Sequence, residues 1–192
     1  MTPTTTTSTA ASPRSGLRSL YLVRVAFSVA WVALVLATGH GLASGDAPTA
    51  VAAALLVAYP LWDAIATVLE LRITADTGAR DRVRLGNIVL SVVATIAMAV
   101  AVSATIEATL VVFGTWALVS GAIQFALATR RHRAVGGEWP MLLSGAISVL
   151  AGVMFVATSG STSAGLTNVA GYSAFGAFWF LLAVIALRRS GR

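Results

Sequence analysis

The sequence predicts an all-α integral membrane protein: a six-helix bundle of three helical hairpins in parallel repeat, with both termini cytoplasmic. Three observations predict it. The 192 residues are 57% hydrophobic and only 10% charged, against roughly 45–50% and 25% in soluble domains. A water-soluble globule of this size has nowhere to bury so much apolar side chain. Apolar runs of about 20 residues, the length that crosses a bilayer, recur six times along the chain. Finally, the arginines fall in alternate connections. Arg14, Arg18 and Arg24 begin the chain, and Arg72, Arg80, Arg82 and Arg84 follow the second run. Arg130, Arg131 and Arg133 follow the fourth, and Arg188, Arg189 and Arg192 close the chain. The other three connections hold no Lys or Arg. An excess of basic residues marks the cytoplasmic side.

Residues 1–17, with six Thr, Pro3 and Pro13, read as a disordered cytoplasmic tail. The transmembrane domain then covers residues 18–192. Its expected spans are Leu20–Thr38, Thr49–Leu71, Leu85–Thr105, Ala108–Thr129, Trp139–Thr158 and Leu166–Leu187, giving hairpins over 20–71, 85–129 and 139–187. Only Ser103, Thr105, Glu107 and Thr109 interrupt the third and fourth runs, which implies a very tight turn. Pro60 has no N–H for the carbonyl of Leu56, so the second span is expected to kink or loosen there. Tyr21 and Trp139 suit an interfacial belt.

The hairpins show self-similarity. Odd-numbered spans carry Arg24 and Ser28, Asn87 and Ser91, and Ser144 and Ser148, each a polar residue with a Ser four later. Even-numbered spans end alike, in Leu69-Glu70-Leu71-Arg72, Leu127-Ala128-Thr129-Arg130 and Ile185-Ala186-Leu187-Arg188. Helices associate in lipid by close packing and interhelical hydrogen bonds, so small residues mark the expected seams. These are Ser91, Thr95, Ala99 and Ser103 in the third span, and Gly114 and Gly121 in the fourth. The fifth offers Ser144, Ser148 and Gly152, and the sixth Gly176 and Ala183.

The stretch Phe113-Gly114-Thr115-Trp116-Ala117-Leu118-Val119-Ser120-Gly121-Ala122-Ile123-Gln124, the Arg cluster after it, Gly137-Glu138-Trp139 and the run Leu142 to Gly152 together resemble the HdeD-type small membrane proteins. Arg24 and Tyr59-Pro60-Leu61-Trp62-Asp63-Ala64 sit where that family often has an Arg and an Asp-Gly, with Ala64 in place of the Gly. The resemblance implies a six-span protein of the bacterial inner membrane built from paired-helix repeats. It also implies a link to acid resistance, and it supplies no catalytic residues.

Charged groups inside a span are expensive, about 2.5–3.5 kcal/mol each on insertion scales, and mark candidate sites. Arg24, Asp63 and Glu70 are such groups in the first hairpin. Side chains lean toward the N-terminus of their helix, so Arg24 is expected to lean toward Glu70 and away from Asp63. The sequence therefore favours an Arg24–Glu70 pair over Arg24–Asp63, with Arg24 snorkelling to lipid phosphates as the competing reading. Asp63 is then left without a basic partner. It is a candidate proton-responsive group, or more plainly a carboxyl group hydrogen-bonded to Thr67 or to a neighbouring helix. Gln124 and Asn87 are expected to act as interhelical hydrogen-bonding residues.

An enzyme is not expected. The chain has no Cys and no Lys, and His40 and His132 lie in loops, so an intramembrane nucleophile has no base. No cofactor or metal site is expected. Anionic lipid headgroups are the expected partners of the Arg clusters, homo-oligomers are expected along the small-residue stripes, and nucleic acid is not a partner. The expected function is that of a non-catalytic accessory protein that stabilises the membrane or a partner under stress. The alternative is a small proton-coupled transporter or channel using Asp63.

Overall fold

A computed structural model of the chain describes residues 13–38, 45–74, 79–135 and 139–161, together with Ile185. These residues form five helices and, among the described residues, no strand: α1 (Pro13–Thr38), α2 (Ala50–Thr74), α3 (Ala79–Ala101), α4 (Ile106–Val135) and α5 (Trp139–Thr158). The expected sixth span lies outside the described residues apart from Ile185, as does the tail up to Ser12.

Local chemistry sets the helix ends. α1 starts at Pro13, a residue suited to the first helical position because its missing N–H has no intrahelical partner there anyway. Residues 13–17, expected in the tail, are therefore helical, and Gly16 packs on α2: a Cβ there would lie 3.0 Å from Ile73 Cγ2. Thr49 caps α2, its Oγ1 accepting the N–H of Ala52 at 3.3 Å and its carbonyl that of Ala53 at 2.8 Å. α2 stays helical on both sides of Pro60, whose ring is fully buried.

The tight turn between the third and fourth runs is present, as only residues 102–105 separate α3 from α4. Thr105 caps α4. Its Oγ1 accepts the N–H of Ala108 at 3.2 Å and its carbonyl that of Thr109 at 3.1 Å. Losing such a cap costs about 1 kcal/mol. Thr105→Ala is thus expected to lower the melting temperature of the detergent-purified protein while leaving its helix content unchanged by circular dichroism.

Four helical stretches are long and apolar enough to cross a membrane: Ser19–Thr38, Ala50–Thr74, Arg82–Ala101 and Ile106–Thr129. The apolar part of α5, Gly145–Thr158, is shorter. Successive helices pack antiparallel. Gly16 meets Ile73, Arg84 reaches Thr74, and Gly121 meets Gly145. The start of α1, end of α2, start of α3, end of α4 and start of α5 therefore share one end of the bundle. Every arginine of the described residues except Arg24 belongs to segments at or next to that end. Asp46 and the α3–α4 turn lie at the other end, joined by a hydrogen bond from the Ile106 N–H to the Asp46 carbonyl at 2.8 Å.

The core is aromatic. Trp31 of α1, Tyr59 of α2, Phe113 and Trp116 of α4, and Phe155 of α5 converge. Tyr59 lies 4.5 Å from Trp31, 5.8 Å from Phe113 and 5.7 Å from Trp116, ring centre to ring centre. Such pairs contribute about 0.5–1.5 kcal/mol each beyond area burial. Val89, Ile96, Val100, Leu150 and Met154 point outward and are more than 60% exposed. Lipid tails, as apolar as these side chains, are their natural solvent.

α4 and α5 approach most closely, and glycines permit it. A Cβ on Gly114 would lie 2.8 Å from the Gly152 carbonyl oxygen, and one on Gly121 would lie 2.9 Å from that of Gly145. The expected Gly114/Gly121 seam is thus real. Its α5 side is Gly145, Ser148 and Gly152, whereas the expected stripe ran through Ser144, whose side chain lies outside the described residues. The α3 stripe needs a correction. Ser91 is buried and Thr95 half-buried, but Ala99 and Ser103 are exposed. The buried line is Ser91, Ala94, Met98 and Ala101. A strict interval of four turns about 40° too far at each step in a 3.6-residue helix, so two further steps carry the stripe off the face.

The repeated Ser positions behave alike. Ser28, Ser91 and Ser148 are exposed by only 4%, 0% and 9%.

Candidate functional site

The polar groups gather between α1, α2 and α3. On α2, Asp63, Thr67 and Glu70 stand at i, i+4 and i+7, which places them on one helix face. On α3, Arg84, Asn87 and Ser91 stand at i, i+3 and i+7. The two antiparallel faces meet in constant register, 63 with 91, 67 with 87 and 70 with 84. Ser91 Oγ donates to Asp63 Oδ2 at 2.8 Å, and Asn87 Nδ2 donates to the same oxygen at 2.9 Å. Asn87 also reaches Thr67 Oγ1 at 3.4 Å. Arg84 Nη2 donates to Glu70 Oε1 at 3.2 Å, and Arg84 Nη1 to Thr74 Oγ1 at 2.9 Å.

From α1, Arg24 enters the same face. Its Nη2 donates to Thr67 Oγ1 at 3.4 Å. One guanidinium nitrogen lies 3.9 Å from Asp63 Oδ1 and the other 3.9 Å from Glu70 Oε2. Two expectations are corrected here. Arg24 does not choose Glu70 over Asp63, because its planar fork spans both carboxylates from the level of Thr67. Nor does it snorkel, since the residue is only 8% exposed. Asp63, expected to lack a basic partner, has Arg24 beside it and two α3 donors. Thr67 meets Asp63 through the backbone: its hydroxyl donates to the Asp63 carbonyl at 2.8 Å, not to the carboxylate.

A fourth helix joins through Trp116, whose Nε1 donates to Ser91 Oγ at 3.1 Å. The Ser91 hydroxyl thus accepts from α4 and donates to Asp63 on α2. The ladder holds two guanidinium groups and two carboxylates, so its formal charge is zero. Burial of each member is tolerable only because opposite charges and hydrogen bonds answer it. Asn87 is an interhelical hydrogen-bonding residue, as expected. Gln124 is half-buried on α4, eight residues beyond Trp116, or about 12 Å along the axis.

Sequence reasoning misses Arg84, Ser91 and Trp116 as members of this cluster. In the sequence Arg84 reads only as a topology signal. The signal that finds them is the matched polar spacing on α2 and α3, seven residues in each, which is visible once the two helices are set antiparallel. The repeat explains the rest. At the next junction Gly121 of the second hairpin takes the place of Asp63 and Ser148 of the third that of Ser91, and a Cβ on Gly121 would lie 2.5 Å from Ser148 Cβ. The same contact is polar in one repeat and close-packed in the next.

Beside the ladder, a shallow, open groove of about 450 Å³ runs along α2 and α3, lined by apolar side chains such as Val57, Leu61 and Val102. Asp63 does not line it. Among the described residues no group of three or more His, Cys, Asp or Glu side chains is placed to hold a metal.

The fold and the ladder define a helical membrane protein. Residues 88–157, covering most of α3, all of α4 and α5 up to its last residue, match the family model described as a short repeat of unknown function (DUF308). That family includes HdeD-like membrane proteins. No curated protein and no solved structure matches the chain.

Proposed function

We propose that this is a non-catalytic, multi-pass protein of the bacterial inner membrane, with six spans and both termini cytoplasmic. It acts as an accessory element that stabilises the membrane or a membrane partner under stress. The observation that carries this reading is the ladder. Asp63, the ladder carboxylate farther from the arginine-bearing end, is engaged by Arg24, Asn87 and Ser91, and the aromatic cluster continues the packing beyond it through Trp116 and Tyr59. A conducting path calls for a polar lining, and the open groove along α2 and α3, the one described beside the ladder, is apolar. Acid stress as the setting rests on the resemblance to HdeD-type proteins alone; the short-repeat family matched by residues 88–157 is one of unknown function.

Exposed Arg72 and Arg82 at the arginine-bearing end suit anionic headgroups. Arg24 and Arg84 are turned inward onto carboxylates and do not serve that purpose. Homo-oligomers would form along the outward helix faces.

The test is flux. Purified protein reconstituted in proteoliposomes is expected to take up no protons beyond the rate of empty vesicles after an acid pulse. Uptake that disappears in Asp63→Asn would reverse the reading to a proton-coupled transporter.

A further inference from the structure

The first helices of the three hairpins bury matching positions. Ser28 and Val35 of α1, Ser91 and Met98 of α3, and Ser148 and Phe155 of α5 are all buried. On α3 and α5 this face meets the hairpin before it. Ser91 donates to Asp63, and Ser148 lies against Gly121. Among the described helices, α1 packs on α2 alone. Yet Ser28 is only 4% exposed, and among the described residues no hydrogen-bond partner meets its hydroxyl. A buried hydroxyl calls for one.

The junctions between hairpins share a register. Gly121, which faces Ser148, stands 58 residues after Asp63, which faces Ser91. The same step separates Arg72, Arg130 and Arg188 at the ends of the even-numbered runs. One more step from Gly121 reaches Trp179. With residues 166–187 set antiparallel to α1 and Trp179 at Ser28, Gly176 falls opposite Trp31 and Ala183 opposite Arg24. Each large side chain then meets a small one, the arrangement that lets helices approach closely in lipid. The α4–α5 seam already uses it, where a Cβ on Gly114 would lie 2.9 Å from Phe155 Cβ. Ile185 falls off this stripe at 100° per residue, and it is exposed.

We propose that the Ser28 face of α1 is a third junction between hairpins, covered by the chain's own residues 166–187 with Trp179 at Ser28. The proposal rests on the six-span reading, which brings that run back from the far end of α5 antiparallel to α1. Trp179 then carries an indole N–H to the level of the Ser28 hydroxyl, the donor that Trp116 gives Ser91.

The experiment is disulfide cross-linking of the full chain, which has no cysteine of its own. Two pairs follow the proposed register: Ser28→Cys with Trp179→Cys, and Tyr21→Cys with Ala186→Cys. The second pair reads out even if the loss of Trp179 impairs folding. Ser28→Cys with Leu181→Cys, on the opposite face of the run, is the control. Mild oxidation in the membrane is expected to consume both thiols of each register pair within a monomer and to leave the control pair free. Free thiols in both register pairs would overturn the proposal. A cross-linked dimer, formed when a Ser28→Cys chain is mixed with a Trp179→Cys chain, would also overturn it and give the face to a second copy. Gly191→Cys tests the underlying reading separately. It is expected to react with an impermeant thiol reagent from the side opposite to Gly45→Cys, and reaction from the same side would overturn the six spans as well.

Discussion

Replacing Arg24 with methionine is expected to abolish folded protein. Among the described residues, the guanidinium is the only group of α1 placed against both Asp63 and Glu70, at 3.9 Å from each. Removing it leaves Asp63 without a cation and two carboxylates facing one remaining arginine, Arg84. Breaking a buried ion pair from one side costs about 3–5 kcal/mol, much of the roughly 5–15 kcal/mol that holds a whole domain together. The readout is the monodisperse peak in size-exclusion chromatography after extraction in mild detergent. Arg24→Met combined with Asp63→Asn is expected to recover much of that peak, because the surviving Glu70–Arg84 pair is neutral. A charge swap, Arg24→Glu with Glu70→Arg, is expected to recover nothing. It sets a carboxylate beside Asp63 and a guanidinium beside Arg84, two like-charge contacts in place of two attractive ones. Full recovery by the swap would mean that Arg24 and Glu70 form an isolated pair.

The second large effect is expected at the α4–α5 seam. Gly152→Ala puts a Cβ 2.5 Å from the backbone nitrogen of Leu118 and 2.6 Å from the carbonyl oxygen of Gly114. Backbone cannot swing aside as a side chain can, so the helices must separate along the whole contact. Overpacking in a tight core costs about 1–3 kcal/mol, and Gly145→Ala, 2.7 Å from the Phe125 nitrogen, is expected to behave alike. Gly86→Ala is the contrast. Nothing lies within 4 Å of its Cβ position, and a helical Gly replaced by Ala gains about 0.5–1 kcal/mol. Melting temperatures in detergent should therefore fall for Gly152→Ala and Gly145→Ala and rise slightly for Gly86→Ala. If all three move together, the seam is not set by backbone contact.

Much of the architecture was legible because membrane helices announce themselves by length and apolarity. The turn at 102–105 followed from the thinness of the polar break between two long runs, and the Gly114/Gly121 seam from their heptad spacing. Helix ends were less legible. α1 begins at Pro13 and not at Leu20, because the packing of Gly16 on Ile73 is invisible in a local window. The ladder was half legible. Arg24, Asp63 and Glu70 stood out as charges in apolar runs, but the leaning of side chains separates Arg24 from Asp63 on paper. A guanidinium some 7 Å from its backbone reaches across more than one turn, so a tilt of about one residue decides nothing. Arg84 and Ser91 escaped because one looks like a topology signal and the other like a small packing residue. Their roles appear only when α3 is set against α2.

The central claim is that the ladder is a dry packing device and not part of a water-filled path. The chain has no cysteine of its own, so single thiols report cleanly. Ser91→Cys and Thr67→Cys would be challenged with a small charged methanethiosulfonate reagent from each side of sealed vesicles, alongside Gly45→Cys, a position with open space around it. Modification of Gly45→Cys from one side only, with Ser91→Cys and Thr67→Cys untouched from both, is the predicted result. Rapid modification of Ser91→Cys from either side would place water at Asp63 and contradict it.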